Sequence, residues 1–242
     1  MLNKFFENLQ SQLAKKKTAK SASAAKTASK KATEKTVFVI NNNDIIKAFA
    51  GIVPSHLSVA AASPVDENGM APEETDFLIF KNYCNDLVAM MGGYVPLELI
   101  YATCYVTPLL NKKSLFETLA RVVAVKKISF YSDLEERQEF RVPAFIIAGD
   151  EGYHIRDVKS EVLNYYNSKN IDSECEVEIL AVLNRGLVIK NWRERRSYIA
   201  LETGADTLMW LFILMNEYLD VPRDVEIDFR KYIRTEKNYP EY

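Results

Sequence analysis

The chain has 242 residues, 48% hydrophobic and 26% charged, with eight glycines and eight prolines. That is enough apolar material for one domain with a sizeable core, and too little Gly and Pro for a low-complexity protein. The formal net charge of −2 conceals an asymmetry: residues 1–36 carry nine lysines against two glutamates, or +7, leaving 22 basic and 31 acidic residues, or −9, on the remainder. A mildly acidic body is poorly suited to gripping a polyanion broadly, so nucleic-acid affinity would have to come from a local basic strip, the N-terminal segment or a bound metal. No apolar run approaches the roughly 18–20 residues of a membrane span. The three cysteines, Cys84, Cys104 and Cys175, are far apart and form no CxxC pair. They support neither a disulfide scaffold nor a zinc site, and a reducing, cytoplasmic compartment is the simpler expectation. With only His56 and His154 present, a His-rich metal site is disfavoured.

In chain order, Leu2, Phe5, Phe6, Leu9 and Leu13 mark one face of a short amphipathic helix over residues 1–14. Residues 15–36 are built almost wholly from Lys, Ala, Ser and Thr, cannot bury a core, and are expected to form a disordered linker. Three roles stay open for this leader: a solubilising segment, a nonspecific polyanion-binding arm, or an address that loads the domain into a secretion or injection machine. Globular sequence is expected over 37–235, with a loose end at 236–242. Asn41, Asn42 and Asn43 supply capping residues for a helix over 44–52, whose buried face would carry Ile45, Ile46, Phe49 and Ile52. Strands are expected over 57–62, 76–80 and 97–106, with a turn over 63–72. The last two strands are apolar throughout, as suits strands covered on both faces. An amphipathic helix follows over 111–128, with Leu115, Leu119, Val122 and Val123 inward and Asn111 placed to cap it. Then come a strand over 142–148, a helix over 155–166, a hairpin of 176–183 and 186–190 around Asn184-Arg185, an apolar helix over 205–219 and a weaker helix over 224–235. The polarity of residues 202–206 fits a cap leading into the apolar helix. Strands interleaved with helices make an α/β or α+β sandwich around a mixed sheet.

Metal-dependent phosphodiester hydrolysis needs clustered carboxylates to hold the ion, which polarises the phosphate and lowers the pKa of the attacking water; a lysine nearby stabilises developing charge. Residues two apart on a strand share a face, so a carboxylate-x-lysine strand beside an aspartate strand builds such a site. Four stretches stand in that order: Thr75-Asp76-Phe77-Leu78-Ile79-Phe80, then Val95-Pro96-Leu97-Glu98-Leu99-Ile100-Tyr101-Ala102, then Thr103-Cys104-Tyr105-Val106-Thr107, then Asn111-Lys112-Lys113-Ser114-Leu115 with Ala124-Val125-Lys126-Lys127-Ile128. Together with Asn184-Arg185-Gly186-Leu187-Val188-Ile189 and Leu201-Glu202-Thr203-Gly204-Ala205-Asp206, they resemble an uncharacterised bacterial family with the PD-(D/E)XK, restriction-endonuclease-like fold, over about residues 40–220. The resemblance implies an α/β sandwich with a central mixed sheet flanked by helices, here preceded by a basic tail. It also implies Asp76 as a metal ligand for Mg²⁺ or Mn²⁺ if the protein is active.

The departure from that pattern is as informative as the match. The family's motif glutamate falls at Tyr105 and its lysine at Thr107. Tyr is a poor metal ligand near neutral pH because its pKa is about 10, and Thr carries no charge. Glu98 falls at the opposite end of the strand from Tyr105. Three readings follow. The first is a degenerate nuclease fold that needs no metal and works by binding nucleic acid or a protein. The second is an active nuclease in which Lys112 or Lys113 replaces the missing lysine beside Asp76, with the leader as a loading signal. The third is a protein-interaction or immunity module with no nucleic-acid role. The stretch Lys190, Trp192, Arg193, Arg195 and Arg196 is the candidate strip for phosphate contacts and base stacking.

Overall fold

The computed structural model describes residues 2–19, 35–66, 68–72, 75–82, 85–131 and 142–220. The helix expected over 224–235, the end at 236–242 and Cys84 lie outside them. A seven-stranded mixed sheet organises the chain, in the order β11-β10-β9-β8-β7-β5-β3. Its members are β3 (Leu57–Ala60), β5 (Phe77–Lys81), β7 (Ile100–Thr107), β8 (Ala144–Ala148), β9 (Ile179–Val182), β10 (Gly186–Lys190) and β11 (Tyr198–Glu202). β7, β8 and β9 run parallel to one another, and the outer strands are antiparallel to their neighbours. Every residue of β7, β8 and β9 is buried. Helices cover both faces, so these strands read as continuous apolar runs rather than alternating ones.

On one face lie α1 (Leu2–Leu13), α2 (Asn42–Ile52) and α6 (Thr207–Leu219), packed on Phe77, Ile79, Cys104, Phe145, Ile147 and Ala181. Asn41 caps α2 by accepting from the Asn43 and Asp44 N–H groups. On the other face, α4 (Lys112–Tyr131) and α5 (Ile155–Ser168) enclose Tyr105, Ile146, Leu180 and Val188. Asn111 caps α4 reciprocally with Ser114: the Ser114 N–H donates to Asn111 Oδ1 and the Asn111 N–H to Ser114 Oγ, each at 2.9 Å. Only four residues separate Thr107 from the start of α4, and the inner stripe of the helix is laid along the face of β7 that carries Tyr105 and Thr107.

Four features differ from the sequence-based expectation. Residues 15–19 are not linker: β1 (Lys15–Ala19) pairs antiparallel with β2 (Lys35–Val39). A strand is held by backbone hydrogen bonds to its neighbour, so a lysine-rich segment without hydrophobic pattern still forms one when a partner lies alongside. Residues 20–34 lie outside the described residues. The turn expected over 63–72 contains β4 (Ser63–Val65), parallel to β6 (Tyr94–Pro96), which follows α3 (Asn85–Met90). β7 begins at Ile100 because residues Leu97–Leu99 form a 3₁₀ turn after Pro96, and Glu98 is buried in that turn. β11 was not expected as a strand at all.

Two contacts fix the periphery. Gly149, just past β8, would bring a Cβ within 2.2 Å of the Pro108 carbonyl oxygen and 2.4 Å of that of Phe38, so only glycine fits between these backbones. Gln10 of α1 is almost fully buried and acts as a polar pin. Its Nε2 donates to Asn184 Oδ1 at 3.0 Å and to the Gly204 carbonyl at 3.1 Å, and its Oε1 accepts from the Leu208 N–H at 2.7 Å.

Candidate functional site

β5 and β7 pair with Phe77 opposite Cys104, and the Asp76 N–H donates to the Cys104 carbonyl at 3.1 Å. Continuing that register one residue sets Asp76 across from Tyr105. The next rung is not made by the backbone of β5. The Asp76 carboxylate takes it, with Oδ2 accepting from the Val106 N–H at 2.8 Å. The same oxygen accepts from Arg121 Nη1 at 3.1 Å. Arg121 sits more than two turns into α4, and its guanidinium carbon lies 5.3 Å from the centre of the Tyr105 ring. A guanidinium over an aromatic face is attracted to it, so Arg121 is held from two sides, by a carboxylate and by a π-system. Asp76 and Arg121 are partly exposed, at 19% and 26% of their side-chain surface, so the niche opens to solvent on one side.

Tyr105 is fully buried, and burial pushes its phenol further above its ordinary pKa of 10.0, partly offset first by the neighbouring Thr103 side chain and then by the Arg121 charge. Thr103 Oγ1 is the polar neighbour of the phenol, but that threonine hydroxyl donates to the Pro143 carbonyl at 3.3 Å, and no bond of good geometry reaches the Tyr105 hydroxyl among the described residues. Thr107, two residues along the same face, is buried and shares a hydrogen bond of 3.0 Å with Thr118 of α4. Thr118 spends its own proton on the Ser114 carbonyl at 2.9 Å, so Thr107 is the donor in that pair. Cys104 faces the other side of the sheet, where burial first, and the Asp76 charge second, raise its thiol well above its ordinary 9.0.

These donors do not fit the Mg²⁺ or Mn²⁺ that the fold implies. Tyr105 is a neutral phenol, Thr107 is committed to Thr118, and Asp76 Oδ2 already holds a cation. A divalent ion beside Arg121 would meet a like charge at close range. Among the described residues, no three His, Cys, Asp or Glu side chains converge as a metal site.

The other residues expected to carry chemistry are placed as follows. Lys112 pairs with Glu161 of α5 at 2.9 Å and lies 5.4 Å from the Phe116 ring. Lys113 pairs with Glu117 one turn on, at 3.8 Å. Both lie roughly 12–14 Å before Arg121 along α4, at 1.5 Å per residue. It is Arg121, not either lysine, that the structure brings to Asp76. In the basic strip, Lys190 points inward. It donates to the Ser173 carbonyl, lies 3.5 Å from Glu176 and stacks 4.1 Å from the Trp192 ring. Arg196 donates to Asn170 Oδ1 and the Ile171 carbonyl at 3.2 and 3.3 Å. Both are spent on internal contacts, because Lys190 is the last residue of an inner strand and Arg196 turns back at φ 55° toward the end of α5. Arg193, Arg195 and half-exposed Trp192, whose indole donates to Tyr218 at 3.0 Å, remain at the surface.

Sequence reasoning missed Arg121. A signal was present: Ser114, Thr118, Arg121 and Val125 recur at four- and three-residue steps, one inward stripe of the helix. It also missed a second cluster on the same face, where Lys126 of α4 forms a short ion pair with Glu178 Oε1 and Glu178 Oε2 accepts from the Ala144 N–H at 2.6 Å. Lys190 and Glu176 adjoin it. All four side chains are nearly sealed from solvent, between 1% and 4% exposed.

The architecture defines a class, a mixed sheet between two helical layers with an aspartate at the mouth of β5. Comparison with solved structures makes it more specific. The chain is similar to NucC of P. aeruginosa ATCC27853 in its cAAA-bound form, with a TM-score of 0.60, 14% identity, and coverage of 79% of this chain and 82% of that one. It is similar to NucC of E. coli MS115-1 in its apo form, at a TM-score of 0.59, 15% identity and coverage of 79% and 88%. The cAAA-bound form of that protein gives the same TM-score and identity, with coverage of 79% and 81%. No protein-family model matches the chain, and none of the curated proteins does. The protein has the NucC-like, restriction-endonuclease-like nuclease fold. None of the described helices is long and apolar enough to cross a membrane.

Proposed function

We propose that this is a nuclease-fold protein that has exchanged metal-dependent hydrolysis for binding, with nucleic acid as its partner. The observation that carries the reading is the triad Asp76, Arg121 and Tyr105. Where the resemblance places a carboxylate facing an ion, an internal guanidinium neutralises the surviving aspartate over a buried, neutral ring. The fold itself does not fix an activity, so the argument rests on these side chains. Partner attraction falls to the basic N-terminal ribbon, where Lys16 and Lys17 of β1 are exposed, and to Arg193 and Arg195, since the rest of the chain is acidic.

The test is direct. Full-length protein is incubated with plasmid DNA and with RNA in the presence of Mg²⁺ or Mn²⁺, and binding to a labelled duplex is followed across a salt series. The expected outcome is no cleavage, with binding that weakens steeply as salt rises, because phosphate contacts release counterions. Metal-dependent cleavage that disappears in Asp76→Ala would restore the active-nuclease reading. Absence of both cleavage and salt-sensitive binding would point to a protein partner.

A further inference from the structure

The central sheet ends at β11, and the phase of that edge can be read from its neighbour. Ile199 pairs with Ile189 and Leu201 with Leu187 of β10. Just outside the strand, the Asn191 N–H donates to the Ser197 carbonyl at 2.8 Å and the Thr203 N–H to the Arg185 carbonyl at 3.2 Å. In an antiparallel ladder, residues whose backbone groups meet the neighbour alternate with residues whose groups point away. Ser197 and Thr203 fix that phase. Ile199 and Leu201 bond to β10, while Tyr198, Ala200 and Glu202 turn their N–H and C=O groups off the edge of the sheet. Among the described residues no backbone hydrogen bond reaches those outward groups.

The side chains do not protect this edge either. Ile199 is 46% exposed and Leu201 37% exposed, side by side on the face that carries α6. Edge strands are ordinarily guarded by a lysine, a proline or a bulge. β11 has none of these, and its first charge is Glu202 at the end.

We propose that β11 is a self-association edge, pairing antiparallel with β11 of a second copy across a two-fold axis between their Ala200 residues. In that register Tyr198 faces Glu202 of the second copy and Ala200 faces Ala200. All three outward residues then fall in hydrogen-bonded pairs, and Ile199 meets Leu201 of the second copy on one face. Charge selects both the occupant and the direction. The chain entering β11 carries Arg193 and Arg195 at the surface with Glu194, and the far end of the strand and the chain leaving it carry Glu202 and Asp206. Antiparallel self-pairing sets each basic end against an acidic one, twice, whereas parallel pairing would set like against like. The result is one continuous sheet across two copies. The contact is smaller than a standard interface, so association in the micromolar range is expected.

The experiment is sedimentation velocity of the full chain over a concentration series, without nucleic acid, so its outcome is independent of the proposed function. A reversible monomer–dimer equilibrium that weakens with salt is expected. Ala200→Pro removes only an outward N–H, a change edge strands tolerate, and Ile199→Lys adds an edge-guarding charge. Each should weaken dimerisation by roughly tenfold or more while circular dichroism and melting temperature hold. If Ala200→Pro disturbs the fold, Ile199→Lys still reads the edge, since its side chain is solvent-exposed in the single chain. A strict monomer overturns the proposal, including one whose β11 amides are protected by residues 221–242. So does a dimer that both variants leave at full strength.

Discussion

Two charge clusters lie under the same helix, and they are built on opposite plans. At the mouth of β5, Asp76 and Arg121 meet at 3.1 Å with a fifth to a quarter of each side chain in solvent. Near the far end of α4, Lys126, Glu178, Lys190 and Glu176 are almost completely enclosed. The inner cluster ties α4 to β8, β9 and β10 and has no route to a ligand. Its cost of desolvation is offset only while every member keeps its partner. The outer pair costs less to hold, because water still screens it, and it is the one a ligand can reach. Burial, rather than the number of charges, separates a scaffold from a site in this protein.

That contrast can be broken by substitution. The largest effect is expected from Lys126→Met, which leaves the buried Glu178 carboxylate without its closest cation. Chemical denaturation should show a loss of about 3–5 kcal/mol, and Glu178→Leu added to it should cost less than the sum of the two. If Lys126→Met is silent, the inner cluster is not structural. The outer pair should be milder. Asp76→Ala removes a charged acceptor from the Val106 N–H and is expected to cost about 1.5–3 kcal/mol. Asp76→Asn keeps an acceptor for that N–H and should cost roughly half as much. Equal losses for the two variants would mean that the ion pair with Arg121, not the rung to Val106, carries the energy. The smallest effect belongs to the exposed lysines. Lys113→Ala and Lys112→Ala should each change stability by under about 1 kcal/mol. A sharp loss of any nucleic-acid cleavage in either variant would reinstate the lysines as site residues.

The framework of the sheet was legible in the sequence because its strands are apolar runs flanked by turn residues and its helices are periodic and capped. That Tyr105 and Thr107 share a face followed from period-two alternation; that their strand runs beside Asp76 was implied by the family resemblance and is what the β5–β7 pairing shows. What stayed hidden depended on distant partners. Glu176 and Glu178 alternate in the sequence leading into β9 as solvent-facing residues would, yet the lysines that neutralise them come from α4 and β10. Arg121 looked like a charge on a helix until β5 placed a carboxylate against it. β1 has no side-chain pattern, and only β2 alongside explains it. The inward contacts of Lys190 and Arg196 were hidden for the same reason: a basic stretch does not reveal which of its members turn inward.

The pin made by Gln10 bears on how the N-terminal lysines can be studied. Cutting the chain at residue 36 would remove far more than charge. It would deprive the first turn of α6 of the acceptor for the Leu208 amide and uncover the Phe212 ring that Phe6 packs against at 5.0 Å. A shortened protein that failed to bind could therefore simply be damaged. Replacing the lysines by glutamine, with the first helix left in its seat, separates electrostatics from architecture.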